Sequence, residues 1–163
     1  MRIAVISDTH GVLKESLIQQ LKTCDYILHA GDIGTPECYQ ALRDLKIPLY
    51  AIRGNCDRGE WCRNLPDTLA APIGGRIFYL IHKKSQLPYP LPEADFIVSG
   101  HTHAYSLSQR GHITYLNPGS AGRSRNGAPL SMAVVSLDAV SAESRAPISS
   151  SPVSVEQIYL SQP

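Results

Sequence analysis

The sequence predicts an α/β fold, and three observations carry that reading. Ile3-Ala4-Val5-Ile6 is an unbroken apolar run, the mark of a strand covered on both faces. Apolar residues at helical spacing follow it and lead to a second apolar run, Tyr26-Ile27-Leu28, which makes a βαβ unit. From Thr68 onward the pattern changes to paired apolar runs around Gly74-Gly75, which reads as an antiparallel hairpin. The chain has 163 residues, which fit one domain over 1–163 that buries roughly two thirds of the surface its unfolded form exposes.

Taken in order, the first strand ends at Ser7-Asp8-Thr9-His10-Gly11, and Leu13, Leu17, Ile18 and Leu21 then share one helical face. The second strand delivers His29-Ala30-Gly31-Asp32. Thr35-Pro36-Glu37 supplies the N-cap, N1 proline and first-turn acid of a second helix, whose apolar face is Cys38, Ala41, Leu42 and Leu45. Pro48 to Ile52 form a third strand, closed by the polar loop Arg53-Gly54-Asn55-Cys56-Asp57. The hairpin, Leu69 to Ile73 and Ile77 to Ile81, ends at His82. Pro88, Pro90 and Pro92 exclude a regular helix from the connection that follows. Phe96-Ile97-Val98, Ala104 to Leu107, Ile113 to Leu116 and Met132 to Leu137 read as further strands, with turns at Gly111 and Asn117-Pro118-Gly119-Ser120. Ser141 to Ser151 is a polar, serine- and proline-containing segment, and Val153, Val155, Ile158 and Leu160 suit a last strand.

Fifteen basic against fourteen acidic side chains leave a net charge of +1, so the balance indicates neither nucleic acid nor an anionic membrane as partner. A homo-oligomer is left open. Only four consecutive aliphatic residues follow Met1-Arg2, too few for a signal peptide or a membrane span, so a cytoplasmic location is expected. Cys24, Cys38, Cys56 and Cys62 form no C-x-x-C pair and are expected as thiols, Cys24 and Cys38 as small packing residues.

The polar residues that carry chemistry share a position. Asp8 and His10, Asp32, Asn55, His82, and His101 with His103 all stand at or just beyond the carboxyl end of an apolar strand, the edge at which open α/β sheets bind ligands. Four of the six histidines belong to this set, more than scattered surface histidines would place there. On an extended backbone, residues i and i+2 share a face, so His101 and His103 would aim at one point. Carboxylate, imidazole and amide oxygen suit manganese, iron, zinc or a related divalent ion. The candidates exceed what one ion needs, and a two-metal centre is the economical reading. Two such ions about 3.5–4 Å apart hold a hydroxide between them as nucleophile and clamp a phosphoryl group during in-line displacement. Phosphoester hydrolysis is the expected chemistry.

Asp8-Thr9-His10, Gly31-Asp32, Gly54-Asn55-Cys56-Asp57, His82 and Gly100-His101-Thr102-His103, in this order, resemble the successive motifs of the calcineurin-like metallophosphoesterases, specifically their small single-domain phosphodiesterase group. The resemblance runs from Met1 to about Ser120. It implies a four-layer α/β fold, a two-sheet β-sandwich flanked by helices. It also implies that Asp8, His10 and His103 hold one ion, that Asn55, His82 and His101 hold a second, and that Asp32 bridges the two. Asp32, Asn55 and His101 carry the catalytic weight. Two divalent cations are implied as cofactors, Mn²⁺ first, with Zn²⁺, Fe²⁺ and Ni²⁺ as alternatives, and a small-molecule phosphodiester as substrate. Because His101 and His103 then serve different ions, the chain must bend at Gly100, after Val98. Two other readings compete: a non-catalytic scaffold of the same fold, like the retromer subunit, and a nucleotide or nucleic-acid hydrolase of the same family. A ligand-competent residue at every metal position argues against the scaffold.

Two departures from the family stand out. Where larger relatives carry a histidine able to stabilise the phosphoryl group or protonate the leaving oxygen, this chain has Cys56. A thiol, with an ordinary pKa of about 8.5 and weak donor strength, is a poor replacement, which favours diesters with good leaving groups. After His82, Lys83-Lys84 and a short proline-rich loop stand where relatives continue with Gly-His and a longer, helix-containing segment. The lysine pair reads as solvated charge. Asp57 is expected to brace its loop, His29 to be structural, His112, Arg123 and Arg125 to lie at the surface, and Asn117 to Ser120 to form a type II turn beside the metals.

Overall fold

The computed structural model describes residues 1–138 and 153–160; the polar segment Ser141 to Ser151 lies outside the described residues. Strand β1 (Arg2–Ile6) is followed by helix α1 (Glu15–Leu21), β2 (Tyr26–His29), helix α2 (Pro36–Asp44) and β3 (Leu49–Ala51). The hairpin β4 (Thr68–Ile73) and β5 (Arg76–Ile81) comes next, then β6 (Phe96–Val98), β7 (Tyr105–Arg110), β8 (Ile113–Pro118), β9 (Ser131–Leu137) and β10 (Val153–Tyr159). Every strand and both helices expected from the sequence are present.

The strands form two five-stranded sheets, ordered β10-β9-β1-β2-β3 and β4-β5-β6-β8-β7. In the first, β1 and β2 run parallel with Val5 opposite Leu28, and β9 closes on β1 antiparallel with Ala4 opposite Val134. In the second, β5, β6 and β8 run parallel, while β4 and β7 pair antiparallel at the edges.

β1 explains how the layers are made. Ile3 and Val5 face a core between the sheets, where they meet Leu28, Ile52, Val135, Phe78, Leu80 and Val98. Ala4 and Ile6 face the other way, against Leu17 and Leu21 of α1 and Leu42 of α2. Both faces are buried, so the run shows no alternation. Each fully buried aliphatic side chain contributes about 1.5–3 kcal/mol, and Phe78 stacks on Phe96 with ring centroids 4.6 Å apart. The architecture is thus the two-sheet sandwich, with α1 and α2 covering the first sheet. The outer face of the second is covered by a short 3-10 turn, Lys84–Gln86, and by Leu87 and Ala94, packed on Ile97, Ile113 and Tyr115.

Helix α2 starts as its sequence dictates: the Thr35 hydroxyl accepts from the Cys38 amide at 3.2 Å, with Pro36 at the first helical position. Among the described residues no helix is long and apolar enough to cross a membrane. The parallel strands of both sheets end at one edge of the sandwich, and the polar loops that follow β1, β2, β3, β5 and β6 meet there.

Candidate metal centre

Asp8 and His10 follow β1, Asp32 follows β2, Asn55 follows β3, His82 follows β5, and His101 and His103 follow β6. The backbone there is unusual. Seven described residues other than glycine have positive φ, and five of them are Asp8 (56°), His10 (47°), Asp32 (57°), His101 (69°) and His103 (60°). Left-handed backbone is sparsely populated outside glycine, although Asp and His tolerate it better than most residues. Its concentration at one sheet edge marks a site whose geometry the surrounding structure enforces.

Asp8, His10 and His103 come together with their ligand atoms all within 4.8 Å of one another. His10 Nε2 lies 3.1 Å from His103 Nε2, and Asp8 Oδ1 lies 3.3 Å from His103 Nε2 and 3.8 Å from His10 Nε2. Asp8 Oδ2 is fully engaged, accepting from the Ser7 hydroxyl at 2.6 Å and the His101 amide at 3.0 Å. Asp8 Oδ1 is buried and has no hydrogen-bond partner. His103 donates from Nδ1 to the Arg123 carbonyl at 3.2 Å, which leaves Nε2 with its lone pair facing Asp8.

Asp32 stands between the two groups. Its Oδ2 is 3.9 Å from His10 Nε2 and 3.3 Å from His82 Nε2, and its Oδ1 accepts from the Cys56 amide at 2.7 Å. His82 is buried, donates from Nδ1 to the Ala30 carbonyl at 2.8 Å, and has no hydrogen-bond partner at Nε2. The His101 ring packs edge-on against His82 with centroids 5.3 Å apart, whereas His103 lies 5.0 Å from His10. Asn55 and His82 line a common cavity of about 440 Å³. With Asn55 Nδ2 donating to Cys56 Sγ at 3.2 Å, its oxygen is left without a partner among the described residues.

Two features differ from the expectation. His101 and His103 diverge, but the bend is in the histidines themselves, both left-handed, and not in Gly100. Gly100 is required for a different reason: a Cβ there would occupy the space of Ser7 Oγ and press on Asp8 Oδ2. Cys56 Sγ also comes within 4.8 Å of ligand atoms of His10 and Asp32, although the thiol is not among the ligands expected from the motifs.

Electrostatics follow from burial and pairing. Burial opposes ionisation of Asp32, yet His82 and the Cys56 amide together hold its carboxyl well below the usual range. Asp8 is raised, chiefly by burial, against the lowering effects of Ser7 and His103. Burial opposes protonation of His82, but Asp32 and the Ala30 carbonyl outweigh it and raise its pKa. Burial, followed by the charges of His82 and Lys83, lowers His101. A divalent cation inverts this logic, because it takes the place of the protons.

The donor set fits such ions. Ligand atoms held about 2.0–2.2 Å from one ion lie about 3.0–3.6 Å from each other; three of the pairs here fall in that range, at 3.1, 3.3 and 3.3 Å, and two lie just beyond it, at 3.8 and 3.9 Å. Two buried ligand atoms without partners, on Asp8 and His82, face this space; unpaired buried polar atoms cost about 1–3 kcal/mol each, a cost that cation binding removes.

A surrounding shell carries residues with weaker sequence signals. Asp57 accepts from the Gly34 amide at 2.7 Å and the Gly54 amide at 2.8 Å, tying two loops together. Asn117 donates to the Gly100 carbonyl at 2.8 Å and the Thr102 hydroxyl at 3.0 Å, and Ser120 donates to the Asp8 carbonyl at 2.9 Å. The expected turn is replaced by the end of a strand: Asn117 and Pro118 close β8, Gly119 follows in left-handed backbone at φ 82°, and Ser120 bridges to Leu130. His29 is structural: Nδ1 accepts from the Gly31 amide, so Nε2 carries the proton to Thr9 Oγ1 at 2.9 Å. Complete burial pushes its pKa down to about 3. Cys38 donates to the same Thr9 hydroxyl at 3.6 Å. His112, Arg123 and Arg125 are exposed.

These strand ends, their convergent carboxylates and imidazoles, and the two-sheet frame define a metallophosphoesterase class of protein. A family model for the calcineurin-like phosphoesterase superfamily domain matches residues 1–140, and the chain belongs to that family. Among particular relatives, it is 33% identical over 134 residues to a probable metallophosphoesterase of Methanothermobacter thermautotrophicus, covering 74% of this chain and 77% of that one. It is 28% identical over 166 residues to the phosphodiesterase YfcE of Escherichia coli, covering 86% of this chain and 90% of that one. Among solved structures it resembles wild-type Vps29 of Entamoeba histolytica complexed with Zn²⁺, with a TM-score of 0.71 at 21% identity over 99% of this chain and all of that one. This last likeness is one of fold.

Proposed function

We propose that the chain is a phosphodiesterase dependent on two divalent cations. The observation that carries this reading is the pair of buried ligand atoms without partners, Asp8 Oδ1 and His82 Nε2, facing the ligand atoms of His10, His103 and Asp32. Asp8, His10 and His103 would hold one cation, Asn55, His82 and His101 the other, and Asp32 both. When bound, such a pair neutralises the phosphoryl oxygens and supplies an activated water to attack phosphorus.

The chain's own residues do the rest. Asp32 stays ionised at any pH near neutrality, since its hydrogen bonds favour the carboxylate. Nδ1–H donation from His82 to Ala30 and from His103 to Arg123 fixes the tautomer that presents Nε2. Cys56 supplies no strong acid: burial and then Asp32 raise its pKa, so the thiol stays protonated and donates weakly. The leaving group therefore departs without protonation by this residue, which favours diesters with good leaving groups over ordinary monoesters. The name of the Escherichia coli relative, a phosphodiesterase, supports a phosphodiester as substrate, and a small-molecule diester is the proposed class. Mn²⁺ is the proposed physiological ion.

The scaffold reading is the alternative that the likeness to Vps29 supports. Because that Vps29 structure contains Zn²⁺, metal content alone does not separate the two readings; turnover does. Purified protein should hydrolyse bis(4-nitrophenyl) phosphate, lose activity on chelation, recover it with Mn²⁺, and prefer the diester to 4-nitrophenyl phosphate. Metal binding with no turnover of either ester would establish the scaffold.

A further inference from the structure

The cavity beside Asn55 and His82 is lined by one cationic side chain without a partner among the described residues. Its lining includes Arg53, Asn55, Asp57, Asp67, His82 and Lys83, and its volume is about 440 Å³. Arg53 is spent on Asp67, donating from Nε at 3.0 Å and from a terminal nitrogen at 2.7 Å to one carboxylate oxygen. Asp57 is spent on the Gly34 and Gly54 amides. Among the described residues, the Lys83 side chain has neither a hydrogen bond nor an ion pair, while its backbone carbonyl accepts from the Gln86 amide.

The two adjacent lysines are not equivalent. Lys84 turns away, its Nζ 4.5 Å from the centre of the Tyr115 ring on the outer face of the second sheet. Lys83 is half-buried at the cavity wall, next in the chain to His82, and close enough for its charge to act on His101. An unpaired cation at the wall of a half-enclosed cavity is a binding group for an anion, since the low-dielectric walls strengthen its field.

On the phosphodiesterase reading, we propose that this cavity receives an ester arm of the substrate and that Lys83 selects arms carrying a second anionic group, a carboxylate or a further phosphate. The substrate class is then a phosphodiester with at least one extra negative charge beyond the scissile phosphate. Lys83 is a specificity residue. It has no part in holding cations, and its removal leaves the seven proposed ligands untouched.

The test compares two phosphonates that differ by one charge, phenylphosphonate and 4-carboxyphenylphosphonate, bound by calorimetry to the Mn²⁺-loaded full chain. The wild type should bind the carboxylated compound about three- to tenfold more tightly, as expected for one partly buried charge-assisted contact. Lys83→Met should bring the ratio to about one while changing phenylphosphonate binding by less than about twofold, and Lys83→Arg should restore it. A ratio that is the same in wild type and Lys83→Met, with bis(4-nitrophenyl) phosphate still turned over, overturns this proposal alone. A ratio that depends on Lys83 in a protein with no turnover overturns the phosphodiesterase reading, and with it the assignment of the bound anion as part of a substrate.

Discussion

At Asp8, His10 and His103 the ligand atoms are held by bonds from distant segments, whereas at Asn55 and His101 far less is fixed. Ser7, the His101 amide, Ser120 and the Arg123 carbonyl all brace the first group, and Asp8 and His103 are buried. In the second group only His82 is buried and tied, through the Ala30 carbonyl. Asn55 is exposed, its amide resting on a cysteine of its own loop, and His101 is half-exposed. The difference teaches that the site is half preorganised. A ligand group already locked in its binding conformation loses less freedom when an ion arrives, so on the two-cation reading the first half should bind more tightly and the second should be the exchangeable one, open to the cavity that Asn55 and His82 line.

The largest effect should come from the residue shared by both halves. Asp32→Asn keeps the shape but removes the charge between His10 and His82, and metal content should fall at both positions. Turnover of an aryl diester should drop on the order of a thousandfold, the scale of losing preorganised charge at a reacting centre. Elemental analysis that found one ion retained at wild-type affinity would break the idea that Asp32 joins the halves.

A smaller contrast separates the halves themselves. His103→Ala should weaken binding of the first ion by at least about a hundredfold and Asn55→Ala that of the second by only about tenfold, set against the roughly 10- to 100-fold cost of losing a residue that merely supports a ligand. Competition with a calibrated chelator should give two phases in the wild type, with the tighter phase lost in His103→Ala. Equal weakening in the two variants, or the reverse order, would show that burial and bracing do not set affinity here.

How much of this was written in the chain follows the same division. β1, α2 and the hairpin were legible because their signals are local: an apolar run, a Thr-Pro-Glu cap, a Gly-Gly turn. The convergence of Asp8, His10 and His103 could be inferred because each follows an apolar strand at the sheet edge. The bracing was not legible. Asn117 reaches Gly100, and Ser120 reaches Asp8 across 112 positions; such long-range bonds leave no mark in local sequence, and Asn-Pro-Gly-Ser announces only a turn. Nor does His-Thr-His declare left-handed histidines. An extended strand would put both rings on one face, and the hydrogen bond from the His101 amide to Asp8 helps hold them otherwise. The Lys83-Lys84 pair reads as one solvated patch, and only the position of Tyr115 shows that the two lysines point to different surroundings.

Cys56 offers the finest test of the comparison, because its side chain and its backbone do different work. The Sγ atom lies within reach of His10 and Asp32 and so has ligand geometry, but the residue is exposed, and partial desolvation of the thiol followed by Asp32 raises its pKa. A thiol must deprotonate to ligate strongly, and two carboxylates already serve this space. The contact that matters is the Cys56 amide on Asp32 Oδ1 at 2.7 Å, which any residue but proline would keep at 56. Cys56→Ala should therefore leave both ions bound and change diester turnover by less than about threefold, far below the effect of losing a structured ligand. Cys56→Pro removes the amide donor while also removing the thiol, and should loosen Asp32 and weaken both ions. If Cys56→Ala instead lost the second ion while Asn55→Ala kept it, the thiol would be the ligand on the open half and Asn55 only its support.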